Sequence, residues 1–149
     1  MKICLALSSG GHLSQAYNLK SWWERHDRFW VTFNKEDAVS VLKGEKTYCA
    51  FYPTNRNAVN FIRNFVIAIK ILTKERPDII FSTGAGVAVP FFYVGKLLGC
   101  KTIYLEVYDR FDSPTLTGRL VYPVTDKFLV QWDEMKAFYP KAENWGQVL

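Results

Sequence analysis

Three short segments carry residues whose types and spacing suit chemistry. The first is Ser8-Ser9-Gly10-Gly11-His12, between an apolar pentapeptide and a helix-length segment. Glycine has no Cβ, so the main-chain N–H groups of Gly10 and Gly11 can approach an anion closely, and a helix start behind them adds positive partial charge. His12 stands at that helix start. An imidazole titrates near neutrality and can accept a proton from a substrate hydroxyl. The alternative is a tight turn in which His12 caps or packs. The second segment, Ser82-Thr83-Gly84-Ala85-Gly86, repeats the arrangement: hydroxyls, two glycines and a helix start. Ser9, Gly10, Gly11, Thr83, Gly84 and Gly86 are therefore the candidate ligand contacts, and two such loops on one edge would offer the several donors a diphosphate requires. The third segment is Glu106-Val107-Tyr108-Asp109-Arg110. Glu106 or Asp109 could orient His12 and stabilise its charged form if the loops converge, with Glu106 favoured because a strand end is held more rigidly. A cap or ion-pair role beside Arg110 is the structural alternative.

Several chemistries do not fit. The Gly-x-Gly-x-x-Gly fingerprint is missing after the first strand, and Asn34-Lys35 stand where a ribose-binding acid is expected, which disfavours a dinucleotide. No Gly-Lys-Ser/Thr phosphate loop occurs. Cys4, Cys49 and Cys100 lie far apart in apolar surroundings, so they read as reduced, buried thiols without metal-ligand spacing. No metal and no cofactor is expected.

The elements that must position these loops follow from the apolar pattern. Ile3–Leu7 is an unbroken apolar run, as in a strand buried on both faces. Further strands are predicted at Phe29–Phe33, Thr47–Phe51, Ile79–Phe81, Thr102–Leu105 and Lys127–Val130. Helices are predicted at Leu13–Glu24, Lys35–Leu42, Ala58–Lys74, Val87–Leu98 and Trp132–Phe138, with a short one near Leu116–Val121. Alternating strands and helices imply right-handed crossovers and a parallel sheet with helices on both faces, a Rossmann-like α/β domain spanning residues 1–149. Ligands of such sheets bind at the carboxyl ends of the strands, where all three segments should fall together.

The segment from Asn55 to Lys74 carries a different signal. Arg56, Arg63 and Lys70 recur every seven residues and form one helical stripe with Asn60 and Asn64 beside it. The remaining positions are apolar over a wider arc than a core-facing stripe needs. This suits an anionic membrane surface, or equally a packed helix with a solvated edge. The aromatic group Trp22, Trp23, Phe29 and Trp30 is expected in the core. A formal charge of +5 on 149 residues suits a phosphate-bearing partner without specifying which. No apolar stretch reaches the roughly 18 residues of a membrane span, Ala85–Gly95 being the nearest, and no secretory leader is apparent.

With these residues in view the sequence resembles a family. Leu7-Ser8-Ser9-Gly10-Gly11-His12-Leu13-Ser14-Gln15, Ser82–Gly86, Tyr104-Leu105-Glu106, Val130-Gln131-Trp132 through Tyr139-Pro140-Lys141-Ala142-Glu143, and Gly146-Gln147 are similar to bacterial PssD- and CpsF-type polysaccharide proteins. They are similar, too, to the membrane-recruiting subunit of the eukaryotic enzyme that adds the second N-acetylglucosamine to dolichol diphosphate. The resemblance implies the N-terminal half of a split, MurG-like GT-B glycosyltransferase. Such a half binds a polyprenyl-diphosphate-linked saccharide, and a separate subunit supplies the nucleotide-sugar site, so that this half alone transfers nothing. By resemblance, Gly10, Gly11 and His12 map onto the loop near the acceptor diphosphate, Gly84 and Gly86 onto the second loop, and His12 onto the catalytic base. The chain stops about where a full enzyme would begin its second domain. The expected setting is capsule or exopolysaccharide synthesis on the inner face of the cell membrane, with no nucleic-acid partner. The membrane helix of the eukaryotic relatives has no counterpart in the sequence, which passes anchoring to the Arg56–Lys70 face or to the partner. Two alternatives stay open: a non-catalytic recruiting scaffold, and a stand-alone nucleotide-binding protein in which Lys35 meets a phosphate.

Overall fold

Every side chain of Ile3-Cys4-Leu5-Ala6-Leu7 is apolar, and all five residues are fully buried. The computed structural model describes residues 1–54 and 56–148. In it the strands β1 (Lys2–Ala6), β2 (Asp27–Thr32), β3 (Thr47–Cys49), β4 (Ile79–Ser82), β5 (Lys101–Leu105), β6 (Lys127–Val130) and β7 (Glu143–Asn144) form one sheet. All the pairings are parallel, in the order β3-β2-β1-β4-β5-β6-β7. Successive residues of a strand point to opposite faces, and both faces are covered. Cys4, Ala6, Phe29 and Val31 pack toward α4 (Ala58–Glu75) and α5 (Ala88–Leu97), with α6 (Leu116–Val121) joining them. Ile3, Leu5, Leu7 and Trp30 pack toward α1 (Gly11–Tyr17), α2 (Lys20–Trp23) and α3 (Glu36–Val41). This is the Rossmann-like sandwich expected from the sequence.

The strand order fixes where a ligand can enter. The chain leaves β1 toward β2 and leaves β4 toward β5, so the loops after these adjacent strands diverge and open a crevice at their carboxyl ends.

The structure departs from the sequence reading in several places. The helix expected over Leu13–Glu24 is divided at Asn18-Leu19. The indole N–H of Trp23 donates to the Ala16 carbonyl at 3.0 Å, the acceptor a continuing helix would use, while its ring meets Trp30 edge-on at 5.2 Å. Asp133–Ala137 winds as a 3₁₀ helix rather than an α-helix. β7 was not anticipated; its two residues continue the ladder beside β6, and Lys127 pairs with Glu143 at 3.0 Å. Cys49 is exposed, not buried, because β3 is an edge strand and leaves alternate residues in solvent. Cys4 and Cys100 are buried as expected, and burial pushes both thiols up.

Candidate active site at the carboxyl rim of the sheet

The loops after β1 and β4 meet through two reciprocal hydrogen bonds. His12 Nδ1 lies 2.9 Å from the Thr83 carbonyl, and the Thr83 hydroxyl donates to the His12 carbonyl at 2.6 Å. A carbonyl oxygen can only accept, so Nδ1 is the donor and carries the proton. In the neutral ring the lone pair is then on Nε2, and no other hydrogen bond to the ring forms among the described residues. Burial lowers the His12 pKa, against upward pulls from the Thr83 hydrogen bond and the charges of Glu106 and Asp109; Arg110 adds a downward push. The net direction is down, so the ring stays a neutral base at neutral pH.

Gly84 forms the floor beneath this ring. Its φ is +132°, and a Cβ there would stand 2.7 Å from His12 Cε1 and 3.1 Å from the Tyr104 hydroxyl. Its N–H donates to Ser82 Oγ at 2.9 Å, which fixes the turn. Thr83 and Gly84 are buried beneath the imidazole, and the Thr83 hydroxyl is committed to the His12 carbonyl. These two therefore position the base, and both are buried where the sequence reading expects ligand contacts. Gly86 is half-buried and lines a cavity with His12, so it remains able to meet a ligand. Gly10 and Gly11 are exposed and Ser9 is half-buried. The Gly10 N–H, however, already donates to Asp37 Oδ2 at 2.6 Å, so the donors left at this loop start from Gly11.

Glu106 does not touch His12, which corrects the contact expected from the sequence. It is 1% exposed and satisfied entirely by neutral donors. Thr115 gives its hydroxyl to Oε1 at 2.9 Å and its N–H to Oε2 at 3.2 Å. Tyr139 donates to Oε2 at 3.0 Å, and the Tyr104 hydroxyl lies 3.4 Å from Oε1. Burial first, and then the Glu106 charge, push both phenols up. Gly118 leaves room for the cluster, since a Cβ there would come within 2.6 Å of Oε2. The direct partner of the imidazole is the Thr83 carbonyl, and Glu106 acts on it only through its field. Asp109 is exposed and lines a cavity with His12. Sequence reasoning missed Thr115, Tyr104 and Tyr139. Thr115 was findable as the N-cap of α6, where its Oγ1 accepts the Gly118 N–H at 2.9 Å. The two tyrosines fall within motifs that carry the resemblance, but nothing in their spacing ties them to Glu106.

His12 stands between two open cavities. One, of about 480 Å³, is lined by Gly11, Gln15, Tyr108, Asp109 and Arg110. The other, of about 640 Å³, runs from Ser8 and Gly86 past Arg56 to Phe61, Leu116 and Leu120. It passes from polar groups at the rim to the apolar outer side of α4 and α6.

That outer side holds the predicted basic stripe, with one inversion. Arg56, Arg63 and Lys70 are exposed, and the Arg63 guanidinium lies 5.3 Å from the Phe51 ring centroid. Asn60 and Asn64, expected beside the stripe, face inward instead. Asn64 accepts the Phe51 N–H at 2.9 Å and donates to its carbonyl at 3.1 Å, while Asn60 donates to Pro53 at 2.8 Å. Their amides satisfy the backbone beyond β3, and the helix turns its apolar residues out: Val59, Ile62 and Ile69 are 59%, 63% and 52% exposed. Among the described residues no helix is long and apolar enough to cross a membrane, and no three His, Cys, Asp or Glu residues gather as a metal site.

Comparison with known proteins agrees with this architecture. Residues 52–148 match the family model of oligosaccharide biosynthesis proteins like Alg14. The UDP-N-acetylglucosamine transferase subunit ALG14 of Debaryomyces hansenii is 29% identical over 174 aligned positions, covering 97% of this chain and 75% of the relative. The human subunit of that name is 27% identical, covering all of this chain and 83% of the relative. Among solved structures, Acinetobacter baumannii MurG superposes with a TM-score of 0.79 at 14% identity, over 99% of this chain and 45% of that one. The UDP-GlcNAc 2-epimerase of Methanocaldococcus jannaschii, in complex with UDP-GlcNAc and UDP, superposes with a TM-score of 0.79 at 14% identity, over 99% of this chain and 47% of that one. The chain thus spans a little less than half of each of these two solved proteins and shares the fold of that part. With a family match that reaches from the turn before α4 to the end of the described chain, this sequence belongs to the Alg14-like family of oligosaccharide biosynthesis proteins.

Proposed function

We propose that this chain is the acceptor-binding subunit of a two-component glycosyltransferase. It holds a polyprenyl-diphosphate-linked saccharide at the inner face of the cell membrane, and a separate subunit brings the nucleotide sugar. The observation that carries the reading is His12: a half-buried, neutral imidazole with Nδ1–H fixed on the Thr83 carbonyl and Nε2 unengaged, between two cavities at the crevice. Such a ring takes the proton from the acceptor hydroxyl as that oxygen attacks the anomeric carbon, and the nucleotide diphosphate departs with the bonding pair. The unpaired charge of Glu106 stabilises the imidazolium that forms. The apolar cavity past Phe61 and Leu120 suits the start of a polyprenyl chain, with Arg56 at its polar end for the diphosphate. Val59, Ile62 and Ile69, flanked by Arg63 and Lys70, suit an anionic lipid surface. The relatives named as transferase subunits support partner dependence, and the PssD- and CpsF-like opening motif supports a role in capsule or exopolysaccharide synthesis.

A second reading, a recruiting scaffold without chemistry of its own, draws on Asp37, whose carboxylate already holds the Gly10 N–H where a diphosphate has to come. His12→Ala separates the two. With the donor-binding subunit bound, transfer from UDP-N-acetylglucosamine to a polyprenyl-diphosphate saccharide falls by roughly 10²–10⁴ while subunit association is kept. Near-normal transfer assigns all chemistry to the partner.

A further inference from the structure

Beyond His12, the loop after β5 and the turn after β6 enclose an open cleft of about 690 Å³. Its walls are four aromatic rings: Tyr108, Phe111, Trp132 and Phe138. Tyr108 is 36%, Phe111 55% and Phe138 44% exposed, a concentration of apolar rings that solvent does not favour. The indole N–H of Trp132 donates to the Tyr108 carbonyl at 2.6 Å, which pins the ring to the opposite loop. Tyr108 is tilted against it at a centroid distance of 5.3 Å, and Phe111 stands edge-on at 6.5 Å. The rings are held in place rather than collapsed on one another.

The rim carries the opposite charge to the molecule. Asp109, Asp112 and Glu134 line this cleft in a chain of net charge +5, and none of the three makes an ion pair among the described residues. Carboxylates so placed repel phosphate and accept hydrogen bonds from neutral hydroxyls. A protein surface laid over them would bury uncompensated charge. Flat C–H faces against fixed rings, and hydroxyls against carboxylates without a cationic partner, describe an uncharged pyranose. The size lies in the ordinary range of small-molecule sites. The cleft also adjoins the proposed catalytic cavity, since Tyr108 and Asp109 line both.

We propose that this aromatic cleft is a saccharide subsite, which grips a neutral sugar ring of the acceptor and delivers its neighbour's hydroxyl toward His12. The assignment of the sugar to the acceptor rests on the transferase reading above; the binding itself does not.

Saturation-transfer NMR on the full chain tests it, with N,N′-diacetylchitobiose, lactose and maltose as probes and UMP as the anionic control. No partner, donor or lipid is present, so a failure of His12 as base leaves this result untouched. At least one disaccharide receives saturation on the ring protons of one face, and UMP does not compete for it. Phe111→Ala, at a ring more than half exposed, weakens that binding about tenfold. Trp132→Leu does so at least as strongly, with circular dichroism confirming that both variants are folded. Saturation of no disaccharide, or binding unchanged in both variants, overturns the proposal. So does self-association that Phe111→Ala abolishes without any saccharide bound, which would make the cleft a protein contact.

Discussion

Two buried carboxylates, one at each end of the sheet, are held in opposite ways. Glu75 ends α4 at the amino edge of the strands and is 6% exposed. Lys2 reaches Oε1 and Lys46 reaches Oε2, each at 2.6 Å, and the Tyr48 hydroxyl adds a third donor. Burial by itself would raise this carboxyl; the hydrogen bonds from Lys2, Lys46 and Tyr48 and the Lys2 charge bring it down to about 2. Glu106, at the carboxyl edge, has hydroxyls and one main-chain N–H and, among the described residues, no ion pair. Glu75 is neutralised where it stands. Glu106 is solvated by dipoles, so its negative charge extends toward the crevice and raises the proton affinity of His12. One carboxylate ties the fold together, and the other is oriented without being cancelled, which suits a place beside a group whose charge changes.

The sharpest way to break this contrast is Glu106→Gln. Two donors converge on Oε2, the Tyr139 hydroxyl and the Thr115 N–H, while the Thr115 hydroxyl holds Oε1. A glutamine must turn its NH₂ toward one oxygen position and meet donors there. Transfer by the complete complex is expected to fall about 100-fold, with stability lowered by about 1–2 kcal/mol. A wild-type rate would make Glu106 as purely structural as Glu75.

Glu75→Gln is the mirror experiment. Removing one partner leaves two lysines facing each other, although Lys46 is more than half exposed and its share is screened. The loss at neutral pH is on the order of 2–3 kcal/mol, and transfer per folded molecule is unchanged. Because the folded carboxyl is depressed, its contribution is complete above the ordinary glutamate range and disappears as pH falls from roughly 4.5 toward 2. Denaturant titrations over that window should show a steeper slope in the parent protein than in the variant, which keeps the shares of depressed carboxyls such as Glu45 and Asp126. Equal slopes in both would contradict the ion-pair account.

The two ends were unequally legible in the sequence. The rim announces itself, because glycines after an apolar run and before a helix have few other uses, and the parallel order then brings the β1 and β4 loops together. What holds His12 could not be read, since its partner is a main-chain carbonyl that any residue at 83 would supply. The Glu106 cluster draws on a strand, a helix cap and a distant tyrosine, and no spacing rule links Tyr104, Thr115 and Tyr139. α4 shows the limit of pattern reading most clearly. Its basic stripe and surplus of apolar residues face outward as the pattern indicates, yet Asn60 and Asn64, placed beside the stripe, are drawn inside by the backbone of Phe51 and Pro53. Local periodicity on the helix knows nothing of a backbone 7 or 13 residues earlier in the chain that needs partners.

The smallest effect tests the electrostatics of the rim alone. Asp109 and Arg110 are sequence neighbours that act on His12 in opposite directions, the carboxylate raising and the guanidinium lowering its pKa. The chain has two histidines, His12 and His26, so imidazole NMR resonances can be assigned with one variant and followed through pH. Burial holds the His12 midpoint below the ordinary value of about 6.5, so the acid limb of kcat/KM for the complex lies below that pH. Asp109→Asn moves the midpoint a little further down, and Arg110→Gln moves it up. Both shifts shrink in high salt, because Asp109 is exposed and its charge is screened. Shifts of the same sign in the two variants would mean that loop rearrangement, not charge, governs this imidazole, and the field assigned to Glu106 would lose its support with them.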